Sequence, residues 1–308
     1  MAVHSVDVLV EGITNAEGPV VLPDERVLYT DTYRGLLCAW SADRGEHLYA
    51  KVGGYPNGAT LGADGLIYVA NNGGALGGLR SFDTRSGSIQ RVAEGGRPET
   101  ILEAVDGRPL DRPNDLSFGP DGLYFTDPGS WNPDDPDPGR IHVIRPDGSA
   151  ETVVETAGGY PNGVAVDAEG RLLWVESFSR MMRRMDRDGR IEDLHRFDEG
   201  SIPDGMAVVD GGELIAVATL HSGGLHLVRA DGGGARFIDL GGTVLTNCAF
   251  AGSHLYLTDD GPEQRNALGH SYWGSGRLLR LSLGISGMPI HLGTAGASPA
   301  DRGCRLGC

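Results

Sequence analysis

The chain has 308 residues, a formal net charge of -16 at pH 7 and 49 glycines. Surplus acid without a basic stripe excludes a nucleic-acid partner, and no apolar stretch reaches the length of a membrane span. Glycine scattered between short apolar runs, with neither a strict period nor a polar tract, excludes collagen-like and disordered chains and points to a turn-rich all-β fold.

From the N-terminus onward one pattern recurs. A small or acidic polar residue leads a short apolar run; a turn follows, then a second apolar run that ends on a polar residue. The copies are EGPVVLPDERVLYTD from Glu17, NGATLGADGLIYVAN from Asn57, NDLSFGPDGLYFTD from Asn114, NGVAVDAEGRLLWVES from Asn162, DGMAVVDGGELIAVAT from Asp204 and TNCAFAGSHLYLTDD from Thr246. Their lead residues, Asn247 in the last copy, stand 40, 57, 48, 42 and 43 positions apart. The turns between the runs suit tight hairpins, and further strand-like sequence such as LRSFDTRSGSIQRVA follows each one. Four strands per unit at this spacing predict a six-bladed β-propeller with a central channel. The VEGITN segment near the start and the late RLLRLSL run are expected to share one blade and close the ring. The propeller is assigned to residues 1–283, and 284–308, which lack strand alternation, to a flexible C-terminal tail.

Two connections exceed what a hairpin needs: RPETILEAVDGRPLDR before Asn114 and SWNPDDPDPGR after Asp127. Long loops in a compact repeat usually cover a site. Trp131, in the second loop, serves equally well as a pocket wall or as an anchor pinning the loop to the surface. The arginine cluster Arg180, Arg183, Arg184 and Arg187, interleaved with methionines, reads as a strand and its turn with solvated charges. Cys38 and Cys248 read as small buried hydrophobes, and Cys304 and Cys308 lie in the tail. Without a disulfide framework or a secretory leader the default is a reducing, cytoplasmic setting.

In a propeller the first strand of each blade lines the channel, so Glu17, Asn57, Asn114, Asn162, Asp204 and Asn247 should converge on one axis. Any one of these residues can be explained as a local turn former. A turn needs no carboxylate, however, and two of the six are acidic while none is basic. Carboxylates converging in a narrow channel repel unless a counter-charge joins them. Carboxylate and amide oxygens without thiolate or imidazole make a hard donor set. It is suited first to calcium, magnesium or manganese, with zinc less favoured.

At these residues the sequence resembles the SMP-30/gluconolactonase family of regucalcin-type propellers. The likeness runs through AEGPV at Ala16 to Val20, RPND at Arg112 to Asp115, YFTDP at Tyr124 to Pro128, YPNG at Tyr160 to Gly163 and IPDGM at Ile202 to Met206. The resemblance implies a divalent metal, calcium in the first place, held by Glu17, Asn162 and Asp204. It places Arg112 and Asn114 on the substrate, and in related phosphotriesterase-type propellers the residue matching Asn114 is itself a ligand, so both roles stay open. The activity implied is metal-dependent opening of a sugar-acid-type lactone, with Asp204 as general base. The alternatives are a phosphotriesterase or lyase on the same metal site, and a non-catalytic binding propeller. His221, after the AVATL run, reads more simply as an exposed turn histidine, although its neutral imidazole would also bind substrate at the channel mouth. His270, Tyr272 and Trp273 would rim the pocket or pack their own loop. The expected partner is a small molecule, probed by a monomer or weak homodimer.

Overall fold

A computed structural model describes residues 6–76, 79–81, 83–265 and 271–296. Its six four-stranded antiparallel sheets are the six blades of a β-propeller. The innermost strands are Ala16–Val21, Pro56–Leu61, Leu116–Gly119, Pro161–Val166, Ile202–Val208 and Leu245–Ala251. Blade 6 takes its outermost strand from the other end of the chain, where Val6–Ile13 pairs antiparallel with Gly276–Ser282. That pairing is the closure expected from the sequence.

Each blade presses both faces against neighbours, so its second strand must be apolar on both sides rather than alternating. Val27–Asp31, Ile67–Asn71 and Leu172–Glu176 are buried at every position for this reason. The outermost strands alternate instead, as in Gly45–Lys51 and Ile191–Arg196. Apolar side chains gather in six clusters, one at each blade-to-blade interface, which together surround the channel. Cys38 and Cys248 are free thiols buried in two of them. The arginine cluster is less solvated than the sequence suggests. Arg183 bridges Glu176 and Asp193, and Arg184 pairs with Glu192 from the neighbouring strand.

The second strands stitch the blades together near the channel. Hydroxyls at their upper ends donate to the next blade's entering strand: Thr30 to the Asn57 carbonyl at 2.8 Å, Thr126 to that of Asn162 at 2.8 Å, and Ser177 to that of Pro203 at 2.8 Å. Thr246 of blade 6 closes the circle on the Ala16 carbonyl at 2.6 Å.

The assignment of a flexible tail from Gly284 is corrected as far as residue 296. This segment lies across the lower mouth of the channel, hydrogen-bonded to three blades, 2, 4 and 5. Met288 N–H donates to Val208 O at 2.9 Å and Asp210 N–H to Ser286 O at 2.8 Å. His291 Nε2 lies 3.1 Å from Asp167 O, and Ala63 N–H donates to Gly293 O at 2.8 Å. Ala295 is fully buried in the cluster between blades 2 and 3, its N–H on the Tyr68 hydroxyl. The strap escapes a search for strands because it crosses the blade edges instead of joining them. Its backbone is satisfied by single bonds rather than a ladder. Cys304 and Cys308 lie outside the described residues. No helix among the described residues is long and apolar enough to cross a membrane.

Candidate active site in the central channel

All six lead residues are buried at the upper end of the channel: Glu17, Asn57, Asn114, Asn162, Asp204 and Asn247 are each no more than 6% exposed. The glycine that follows several of them has a purpose other than a turn. A Cβ on Gly163 would stand 2.3 Å from the Asp204 carbonyl oxygen, and one on Gly205 would stand 2.1 Å from the Asn247 side chain. Inner strands converge so closely here that the residue beside four of the lead positions, Gly18, Gly58, Gly163 and Gly205, has no room for a side chain.

Several of the polar groups have fixed orientations. Asn162 Nδ2 donates to Ser177 Oγ at 3.0 Å. Glu17 Oε2 accepts the Gly18 N–H at 3.0 Å and the Asn247 side-chain N–H at 3.4 Å. By contrast, Asn57 Oδ1 and Asn114 Oδ1 are buried without a hydrogen-bond partner. A buried amide oxygen left unpaired is costly, so these two oxygens call for a ligand.

The charge balance points the same way. Burial, then the nearby Asp115, push Glu17 up to about 8. Burial, then Glu17, raise Asp204 well above the usual carboxylate range. Sequence reasoning missed two further buried carboxyls, Asp260 and Asp115. Burial raises Asp260 to about 8 against hydrogen bonds from Asn15 Nδ2 at 2.6 Å and Ala16 N–H at 2.8 Å. Asp115 is pushed by burial to about 6, while the Leu116 and Val164 N–H groups favour its charge. The only sequence signals were the single acid that ends RPND and the doubled acid of LTDD, both hidden beside a motif position. Among the described residues no three His, Cys, Asp or Glu side chains form a group that could hold an ion by themselves. The converging set is instead two acids with amide oxygens, a donor chemistry that fits a hard divalent cation.

Arg112 approaches from the loop before blade 3, its side chain about a quarter exposed. His221 stays apart, exposed in a turn with φ 62° after the second strand of blade 5. Trp131 meets Tyr160 edge-on at 4.7 Å and Phe178 at 5.0 Å, so the long loop of blade 3 is pinned to an aromatic patch at the rim. His270 lies outside the described residues, as does the side chain of Tyr272. Below the ring the channel widens into a cavity of about 360 Å³, floored by Gly287 to His291 of the strap.

A six-bladed propeller with one buried, oxygen-lined site at the upper end of its channel defines the architectural class. The family follows from the sequence: a model of the SMP-30/Gluconolactonase/LRE-like region matches residues 15–259, and the chain belongs to that family. Similar solved structures include a gluconolactonase of Xanthomonas campestris, with 21% identity, 90% of this chain and 89% of that one covered, and TM-score 0.69. A regucalcin of Agrobacterium tumefaciens, described as a calcium-binding protein, has 17% identity, covers 96% and 98%, and has TM-score 0.71. A luciferin-regenerating enzyme has 16% identity, covers 94% and 100%, and has TM-score 0.75. At these identities the likeness is one of fold. Among curated proteins no match is found.

Proposed function

We propose that the chain is a divalent-metal-dependent hydrolase that opens a sugar-acid-type lactone, with calcium as the first candidate ion. The observation that carries this reading is the pair of unpartnered amide oxygens, on Asn57 and Asn114, beside two buried carboxyls, Glu17 and Asp204, both raised by burial and the second raised further by the first. Glu17, Asn162 and Asp204 would hold the ion, with Asn114 at their side. When bound, such an ion supplies a positive charge that polarises a substrate carbonyl.

The protein's own groups do the rest. Arg112 offers a fork of N–H donors to substrate hydroxyl or carbonyl oxygens and, with Asn114, fixes the ring over the site. Asp204 accepts a proton from the attacking water. Water oxygen bonds to the carbonyl carbon, the ring carbon–oxygen bond breaks, and the freed ring oxygen takes a proton to become a hydroxyl. The product is an open hydroxy acid. Trp131 and Phe178, half-buried over the Tyr160 ring, supply an apolar wall at the rim against which a sugar face can lie. His221, from its exposed turn, would touch only a substrate that extends beyond the mouth. We assign the protein to a reducing compartment, as a monomer or weak dimer.

The test is a panel of γ- and δ-aldonolactones, aryl esters and phosphotriesters, read with a pH indicator after chelation and after reloading with calcium, magnesium, manganese or zinc. Metal-restored lactone opening is expected. Turnover of phosphotriesters alone would move the same site to a different reaction, and no turnover of any kind would favour a binding scaffold.

A further inference from the structure

The residue that follows the second strand is held alike in four blades. Its N–H donates to the carbonyl just before that blade's inner strand: Thr32 to Asn15 at 3.3 Å, Asn72 to Tyr55 at 3.0 Å, Ser177 to Tyr160 at 3.0 Å and Asp260 to Val244 at 3.0 Å. The backbone makes these four positions equivalent, and of the four only blade 6 supplies an acid.

Two of the four side chains reach across to the next blade. Ser177 Oγ donates to the carbonyl of Pro203, the residue before Asp204, at 2.8 Å. Asp260 does the matching work in blade 1. Its Oδ1 accepts the N–H of Ala16, the residue before Glu17, at 2.8 Å. Each anchor therefore holds the residue that precedes one of the two acids of the ring.

Blade 6 grips this segment at two further points. The Ala16 carbonyl accepts Thr246 Oγ1 at 2.6 Å, and Asp260 Oδ2 accepts the Asn15 side-chain N–H at 2.6 Å. Asn15 is buried with φ 55°, a left-handed conformation, and its Oδ1 accepts the hydroxyls of Thr32, at 2.8 Å, and Tyr55. An amide whose oxygen already takes two hydroxyls offers its nitrogen to the remaining neighbour, and a carboxylate is the acceptor which that nitrogen needs. One run of bonds thus joins blades 6, 1 and 2 where Val6–Ile13 hands over to Ala16–Val21.

We propose that Asp260 is a positioning residue: through the Ala16 N–H and the Asn15 amide it fixes the start of the inner strand of blade 1, and with it the place of the Glu17 carboxylate, relative to blade 6. The consequence for ion binding rests on the metal reading of the site; the anchoring does not.

The experiment uses the full chain, first free of metal and then with calcium as the probe. Asp260→Asn keeps the shape but turns an N–H toward one of the two donors. Asn15→Gly removes the amide and tolerates the positive φ. The backbone ¹⁵N–¹H signal of Ala16 should exchange slowly in the wild type and about ten-fold or more faster in Asp260→Asn. An identical Ala16 signal and exchange rate in both proteins would overturn the proposal whatever the ion does. Calcium affinity by calorimetry should fall about ten-fold to a hundred-fold in Asp260→Asn, the usual cost of losing a group that orients a ligand, and less in Asn15→Gly. The double variant should bind calcium no worse than Asp260→Asn, because both substitutions cut one link. Unchanged affinity in either single variant would overturn the positioning role. So would additive losses in the double variant, which would mean that Asp260 meets the ion directly. A wild type that takes up no calcium, magnesium, manganese or zinc, with the Ala16 signal still responding, would sink the metal reading and keep the anchoring.

Discussion

The carboxylate of Asp127 accepts the backbone N–H of Arg112 at 2.6 Å, and its second oxygen accepts that of Asp111 at 3.1 Å. The RPND and YFTDP segments, with eight residues between them, are thus two halves of one structure. The polar residue that ends a second strand fixes the loop that enters the same blade. Asp31, Asn71 and Asp259 do the same in blades 1, 2 and 6, accepting N–H groups of Thr14, Tyr55 and Val244.

Asp127→Ala should therefore damage the site from a distance. Two partly buried N–H groups would lose their acceptor, at up to about 1 kcal/mol for each, since water can replace it in part. The loop carrying Arg112 would loosen, and kcat/KM should fall about ten-fold to a hundred-fold with a lowered melting temperature. Asp127→Asn keeps one acceptor oxygen and should be intermediate. Steady-state kinetics and thermal melts check both, and full activity in the alanine variant would show that Arg112 needs no such anchor.

The two jobs proposed for Asp204 separate by substitution. Asparagine keeps an oxygen for the ion but carries no charge and takes no proton; alanine removes both. Metal affinity by calorimetry should fall modestly in Asp204→Asn and severely in Asp204→Ala. At saturating metal both should turn over about a hundred-fold or more slowly. Wild-type turnover by Asp204→Asn under those conditions would leave Asp204 as a ligand alone.

Glu17 gives the metal-free protein a predictable pH dependence. Folded, it keeps its proton to about pH 8; unfolded, it releases it near the ordinary value of 4.5. Between those values the folded chain binds more protons, so stability falls as pH rises and levels off above about 8. Asp260, also raised to about 8, acts in the same direction. Melts of chelated protein from pH 5 to pH 8 should fall more steeply for the wild type than for Glu17→Gln. Adding a divalent ion should flatten the wild-type curve, since the ion binds the ionised form of the folded chain only. Parallel slopes for the two proteins would remove Glu17 from this account.

Truncation after Leu283 tests the strap. It removes the hydrogen bonds to Val208, Asp210 and Ala63, uncovers the cluster that receives Ala295, and opens the cavity floor. A loss of several degrees in melting temperature is expected, at about 1 kcal/mol for each hydrogen bond. A truncated protein that melts like the full chain would show that the strap merely rests on the blades.

By itself the sequence determined the architecture and the ring. Six apolar–turn–apolar copies can bury their two-sided strands only against one another, so the repeat dictates blades, and blade geometry sends every lead residue to the axis. The convergence of all six lead residues, from Glu17 to Asn247, was legible for that reason, and so was the closure by Val6–Ile13. The tertiary structure alone decided what those residues meet. Asp115 and Asp260 become part of the site because inner strands converge, bringing together carboxyls that no spacing rule connects. Asp127 acquires its purpose only when its loop folds back on it. The strap of residues 284–296 was invisible for the opposite reason. Periodic patterns report segments that pair in ladders, whereas this segment is held by isolated bonds and by the fit of small residues against surfaces made elsewhere in the chain.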